Sequence, residues 1–278
     1  MLRRVVRFLA LLGLSASCLP SALASRLLAP CSVRAALRLA AATQRCWARG
    51  ILWILGVELV CEGRPPPGAC LLVANHLSYL DIPVLGALFP GRFVAKDEIA
   101  GWPLLGPLAA TVGTIFLRQR RGRDLVRVER AMAQTLAAGV PVLLFPEGHS
   151  TRGAGVDRLH SSLFECAVRA EIPCLAVTLG YETPDDPWAP AATVCWWGGM
   201  SFWRHAWGLV GLRRIRARVC LAARARSASD RKVLAAELHA DLLANLEPLR
   251  QSPIAPDYPW PELFQGDALG VDGLLGRS

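Results

Sequence analysis

No aspartate or glutamate occurs before Glu58 in this chain of 278 residues, although Arg3, Arg4, Arg7, Arg26, Arg34, Arg38, Arg45 and Arg49 all do. Acids are missing again from Trp188 to Ser229, a stretch that carries Arg204, Arg213, Arg214, Arg216, Arg218, Arg224 and Arg226. Lysine is scarce: Lys96 and Lys232 alone represent it, so nearly all of the 31 basic residues are arginine, set against 22 acidic ones for a net charge of +9. With 53% apolar residues and positive mean hydropathy, the chain is more apolar than a freely soluble protein requires. Arginines interleaved with Leu, Ala and Trp suit the surface of an anionic bilayer. They do not suit the wet phosphate groove of a nucleic-acid binder, so no nucleic-acid partner is expected.

The nine cysteines include no CxxC pair and no Cys/His spacing of a zinc site, so no metal is expected. Their odd number and apolar settings predict buried free thiols in a reducing compartment. There is no internal repeat.

The first 57 residues form a basic, apolar leader. Arg3-Arg4-Val5-Val6-Arg7, the run Phe8–Leu14 and Ala22-Leu23-Ala24-Ser25 resemble a secretory signal peptide. Ser15, Ser17, Pro20 and Ser21 interrupt the apolar run, which argues for an uncleaved anchoring helix instead. The apolar core from Val5 to Leu19 is short against the roughly 20 residues of a full span, so an interfacial or re-entrant helix and a crossing one both stay open. The segment Ala35–Val60 is expected to be helical and membrane-associated as well, with Trp47 and Trp53 at headgroup depth.

Residues 58–247 read as an α/β domain, and residues 248–278 as a Pro/Gly-rich tail. Apolar runs at 69–74, 92–95, 114–117, 140–145, 173–179, 193–197 and 215–222 are expected strands. Residues 124–138 and 161–170 are expected helices, and a last helix over 229–247 presents Val233, Leu234, Leu238, Leu242, Leu243 and Leu246 as one apolar stripe. Strands alternating with helices imply a mostly parallel sheet flanked by helices, preceded by the membrane-associated segment. In such sheets functional residues gather beyond the carboxyl ends of strands. Asn75-His76-Leu77-Ser78-Tyr79-Leu80-Asp81 and Phe145-Pro146-Glu147-Gly148 both fall there.

The first of these runs sets a histidine five residues ahead of an aspartate, across a turn into a helix. Neutral imidazole can take a proton near pH 7, and a carboxylate can fix its tautomer and stabilise the imidazolium. Further pieces follow in order: Lys96-Asp97-Glu98, then Gly113 through Arg118, then Phe145-Pro146-Glu147-Gly148 with Arg152 behind, then Ile172 through Leu179. From about Leu71 to Leu179 this resembles the glycerolipid acyltransferase family, which includes bacterial 1-acyl-glycerol-3-phosphate acyltransferases.

The resemblance implies His76 as general base and Asp81 as its orienting carboxylate. It implies Arg118 and Lys96 as ligands of an anionic head group, since guanidinium grips phosphate with a planar fork. It implies Glu147 as a residue that hydrogen-bonds acceptor hydroxyls or shapes their pocket, with Gly148 allowing close backbone approach. It also implies a direct attack of the acceptor hydroxyl on an acyl thioester, with acyl-CoA or acyl-carrier protein as co-substrate, a lysolipid as acceptor and no bound cofactor. No serine or cysteine of this chain sits in a nucleophile-elbow setting, and Ser78 is expected to cap a helix. The implied location is the cytoplasmic face of the inner (plasma) membrane.

Two departures bear on the acceptor. The family places Thr or Ser and then Arg directly after the glycine, whereas this chain reads His149-Ser150-Thr151-Arg152, and Ala176 stands where the family has proline. Either the loop bulges so that Arg152 still reaches the head group, or the acceptor is held differently. Lysophosphatidic acid is the expected acceptor, with a lyso-aminolipid such as lyso-ornithine lipid as the alternative. From other classes, a non-catalytic lipid-binding protein and a secreted hydrolase are the competing readings. His149 is expected to shape its loop. Trp203 and Trp207 are expected to face lipid, while Trp196 and Trp197 are open between lipid contact and core.

Overall fold

The computed structural model describes residues 1–65, 68–101, 109, 113–117 and 122–246. Two helices come first, α1 (Leu2–Leu28) and α2 (Val33–Leu55). The serines that interrupt the apolar run do not interrupt α1. Ser15 and Ser17 donate back to the carbonyls of Leu11 and Leu14 at 2.8 and 2.7 Å, and Ser21 bonds Thr43 of α2 at 2.6 Å. Such back-bonding satisfies a hydroxyl without breaking the helix. At 27 residues α1 is long and apolar enough to cross a membrane, a test that signal sequences also pass.

Helix α2 ends at Leu55 because Gly56 adopts the left-handed conformation, φ +71°, and its N–H closes on the last carbonyls. The expected helix to Val60 therefore stops short, and Val57–Glu62 is strand β1. Trp47 is also not at headgroup depth. It is buried in the core, with Nε1 donating to Ser15 Oγ at 3.2 Å, and Leu52 and Leu55 are buried with it. Trp53 is the outward one, 84% exposed.

The remaining strands are β2 (Leu71–Ala74), β3 (Arg92–Lys96), β4 (Ile115–Leu117), β5 (Val142–Leu144), β6 (Cys174–Glu182) and β7 (Ile215–Leu221). They form a seven-stranded sheet in the order β1-β7-β6-β2-β5-β3-β4. Every pairing is parallel except β6 with β7. Among the helices, α3 (Asp81–Leu88) follows β2, α4 (Gly122–Ala137) follows β4, and α5 (Glu165–Arg169) precedes β6. All four residues of β2 are buried, as a central strand covered on both faces requires.

Residues 193–197 are not a strand. Pro190 starts a short helix, α6 (Pro190–Thr193), and the chain then turns. Trp196 Nε1 donates to the Met200 carbonyl at 2.9 Å and Trp197 Nε1 to that of Ala191 at 2.8 Å. These indoles close a local loop against the core. Helix α7 (Phe202–Leu209) follows, and α8 (Arg231–Leu246) is the last described element. In α8, Leu234, Ala235, Leu238, Leu242 and Leu246 face inward, whereas Val233 and Leu243 are exposed, so the expected stripe is narrower. The tail expected over 248–278 lies outside the described residues.

Candidate active site

The turn between β2 and α3 is tied down at both ends. Asn75 is fully buried and exchanges two bonds with the backbone of Leu179 on β6, donating at 3.1 Å and accepting at 2.7 Å. Asp81, with no exposed surface, opens α3 and draws the turn back on itself. Its Oδ2 faces His76 Nδ1 at 2.7 Å and accepts from the backbone N–H groups of Leu77 and Ser78 at 2.7 and 3.0 Å. Its Oδ1 accepts from the Tyr181 hydroxyl at 2.6 Å. Four donors around one carboxylate are the set an acceptor-only group calls for. Nδ1 then carries the imidazole proton, and Nε2 is left as acceptor. Among the described residues Nε2 has no hydrogen-bond partner, and the ring is partly open to solvent.

The ring of His76 is held from one side by Phe145, stacked at 4.2 Å between centroids and 21° between planes. Phe145 belongs to the turn after β5, which Gly148 closes with φ +75° and an N–H to the Phe145 carbonyl at 3.2 Å. Parallel pairing of β2 with β5 brings the two turns to the same end of the sheet.

Glu147 is 1% exposed and spends both carboxylate oxygens on main chain. Oε1 accepts from the His76 N–H and Oε2 from the Asp157 N–H, each at 2.8 Å. Burial pushes its carboxyl above the ordinary range, and the N–H groups of Asp157 and His76 pull back against that. Both oxygens are thus engaged within the protein, where they join the His76 turn to the Asp157 loop.

The departure after Gly148 has a definite shape. Thr151 N–H donates to the His76 carbonyl at 2.8 Å, and Ser150 Oγ bonds the Trp196 carbonyl. His149 Nε2 meets Asp157 Oδ2 at 2.8 Å at the surface, consistent with shaping its own loop. Arg152 is exposed at the end of this insertion. Lys96 ends β3, and Arg118 lies outside the described residues, as does the Lys96 side chain. The structure thus brings together His76, Asp81, Glu147 and Gly148, and sets Arg152 on the adjoining loop.

Ser78 does not cap α3 in the expected way. Its Oγ accepts from the Leu80 N–H at 3.3 Å, inside the turn. Three residues to which the sequence assigns no role matter here: Tyr181, Tyr79 and His205. Tyr79 Oη and His205 Nδ1 are 2.9 Å apart, with Trp196 and Phe202 packed around them. Burial lowers His205 to about 4, against a weaker pull from the Cys195 backbone. None of the three carries a local signal, since each meets its partner across a long stretch of chain.

On the outer side, Trp203 is 56% exposed, but Trp207 is half-buried and meets Phe8 of α1 edge-on at 6.4 Å. Arg7 donates to the carbonyls of Val210 and Leu212 at 3.1 and 2.6 Å, and Arg3 to that of Gly211. The exposed face of α1 includes Leu2, Val6, Leu9, Leu19, Leu23 and Leu27. Among the described residues, no three His, Cys, Asp or Glu side chains come together as a metal site.

The model of the acyltransferase family matches residues 59–180. A 1-acyl-sn-glycerol-3-phosphate acyltransferase of Neisseria meningitidis is 34% identical over 194 residues, covering 67% of this chain and 73% of that protein. A lyso-ornithine lipid O-acyltransferase of Pseudomonas aeruginosa is 37% identical over 147 residues, covering 53% of this chain and 57% of that protein. In fold, the chain is similar to the crystal structure of a 1-acyl-sn-glycerophosphate acyltransferase from Thermotoga maritima, with a TM-score of 0.60 at 19% identity over 89% of this chain and 96% of that one.

Proposed function

Because this chain belongs to the acyltransferase family and is an acyltransferase of the lysophospholipid type, we propose that it moves a fatty acyl group from acyl-CoA or acyl-carrier protein to the free hydroxyl of a lysolipid at a membrane surface. The observation that carries this is the 2.7 Å contact between His76 Nδ1 and the buried Asp81 carboxylate, with Nε2 unengaged. Nε2 takes the proton of the acceptor hydroxyl as its oxygen attacks the thioester carbonyl. The C–O bond forms, the C–S bond breaks, and the leaving thiolate recovers the proton from the imidazolium. Asp81 stabilises that imidazolium and holds the ring in one tautomer. No acyl-enzyme and no bound cofactor enter.

The proposed acceptor is 1-acyl-sn-glycerol-3-phosphate, giving phosphatidic acid. Supporting it are the name of the Neisseria relative and the basic candidates Arg118, Lys96 and Arg152 for a phosphate. A second acceptor, lyso-ornithine lipid, is favoured by the Pseudomonas relative and by the loop inserted between Gly148 and Arg152. Membrane attachment, on the cytoplasmic face where the thioester donors are found, is supported by the apolar outer face of α1 together with Trp53 and Trp203.

The test is a panel of acceptors (1-acyl-glycerol-3-phosphate, lyso-ornithine lipid and a lyso-glycerophosphodiester) offered with each thioester and read by mass. The phosphate acceptor is expected to be acylated fastest. His76→Ala is expected to abolish transfer with an unchanged melting curve. Full activity in that variant removes His76 as the base.

A further inference from the structure

Asp81 and Tyr181 are a hundred residues apart in sequence and 2.6 Å apart in space. Tyr181 stands on β6, whose register places it opposite Ala217 of β7, and its side chain is fully buried. The other donors to Asp81, from His76, Leu77 and Ser78, all reach Oδ2 and all come from the turn itself. Among the described residues, the Tyr181 hydroxyl is what holds Oδ1.

We infer that Tyr181 is a positioning residue of the acyl-transfer site, acting on His76 through the carboxylate of Asp81, which makes the dyad one end of a Tyr181–Asp81–His76 relay of hydrogen bonds. This rests on the acyl-transfer reading above. Oδ1 has no solvent to turn to, so loss of the hydroxyl leaves it unsatisfied and frees the carboxylate to rotate about its last bond. Rotation moves Oδ2, and with it the imidazole. The hydroxyl also draws off part of the carboxylate's charge, which sets how strongly Asp81 favours the imidazolium. It remains a donor, because burial and the adjacent Asp81 charge push Tyr181 well above the ordinary phenol range, with Cys195 adding to the effect. Among the described residues, the other ionisable side chains bonded to this turn are Glu147, which meets the His76 main chain and not its ring, and His205, which meets the Tyr79 hydroxyl.

The experiment compares Tyr181→Phe with the parent enzyme for kcat, KM and the pH–rate profile, repeats the change in an Asp81→Asn background, and replaces the Tyr181 side chain by 3-fluorotyrosine. The Phe variant is expected to lower kcat about tenfold with both KM values kept, and to move the acid limb of the profile up by about half a pH unit. The fluorinated ring, a stronger donor of the same shape, is expected to move that limb down. In the Asp81→Asn background the Phe substitution is expected to change kcat less than about twofold. A purely structural role moves neither limb and costs the same in both backgrounds; either result overturns the inference. If the Phe variant does not fold, the fluorinated protein decides alone. The underlying reading fails separately, when the unmodified enzyme transfers no acyl group from either thioester to any acceptor.

Discussion

The Glu147 carboxylate meets His76 at its main-chain N–H and not at its imidazole. Glu147 Oε1 accepts from the His76 backbone N–H, and Oε2 from that of Asp157. One carboxylate thus staples the turn after β2 to the loop after β5. A carboxylate can do this because it offers two acceptors and no donor.

Glu147→Gln puts an NH2 group against one of those N–H donors. One bond is lost and a buried donor is left without a partner, at a cost of about 1–3 kcal/mol. Thermal or urea unfolding should show that loss, together with reduced kcat. An unshifted melting curve would mean that the staple does not bear on stability.

Asp81→Asn leaves the shape of the turn and removes the charge behind His76. Acyl transfer is expected to fall by a factor of about a thousand or more, mainly in kcat. The variant should also be less stable, since Oδ2 holds the Leu77 and Ser78 N–H groups as well. Steady-state rates beside a melting curve separate the two effects.

Acid should weaken the protein through His205. Its folded value is lowered to about 4 from 6.5, so the unfolded chain binds the proton first as pH falls. The stability tied to the neutral ring is fully present above pH 6.5. It drains away down to about pH 4, by about 3 kcal/mol in all. Urea midpoints measured across this window for the parent and for His205→Phe should converge at the acid end. A pH slope equal in both would assign the loss to other groups.

The two leader tryptophans should behave oppositely. Trp47→Ala is expected to cost about 3–5 kcal/mol of stability, as removal of a buried indole does. Trp53→Ala should leave stability nearly unchanged and weaken co-sedimentation with anionic vesicles. Leu9→Glu, on the outer face of α1, should weaken it further, by about tenfold or more.

The dyad was legible because its parts lie within one turn of chain and follow an apolar run that could only be a buried strand. Most of the sheet was legible for the same reason. What escaped was set by distance. Strand β1 hides in an apolar run continuous with α2, and only Gly56 marks the break. Thr193–Trp197 reads as a strand on apolar content, yet Pro190 starts a helix there and the Trp N–H groups bind local carbonyls. Helix–helix packing buried Trp47, which its own neighbours in sequence place at a lipid surface. The Tyr181 bond to Asp81 leaves no trace in local pattern, since strand order alone brings them together.

Strand β1 has one partner among the described strands, β7, and joins it in parallel register from Val57 opposite Ile215 to Glu62 opposite Cys220. Nearly all of the catalytic domain lies between these two strands in sequence. During synthesis, β1 is therefore made long before its partner exists. Contacts of such long range form late. Until then β1 follows α2 with its strand-pairing groups unmatched. With the arrival of β7, the last strand of the sheet to be made pairs with the first.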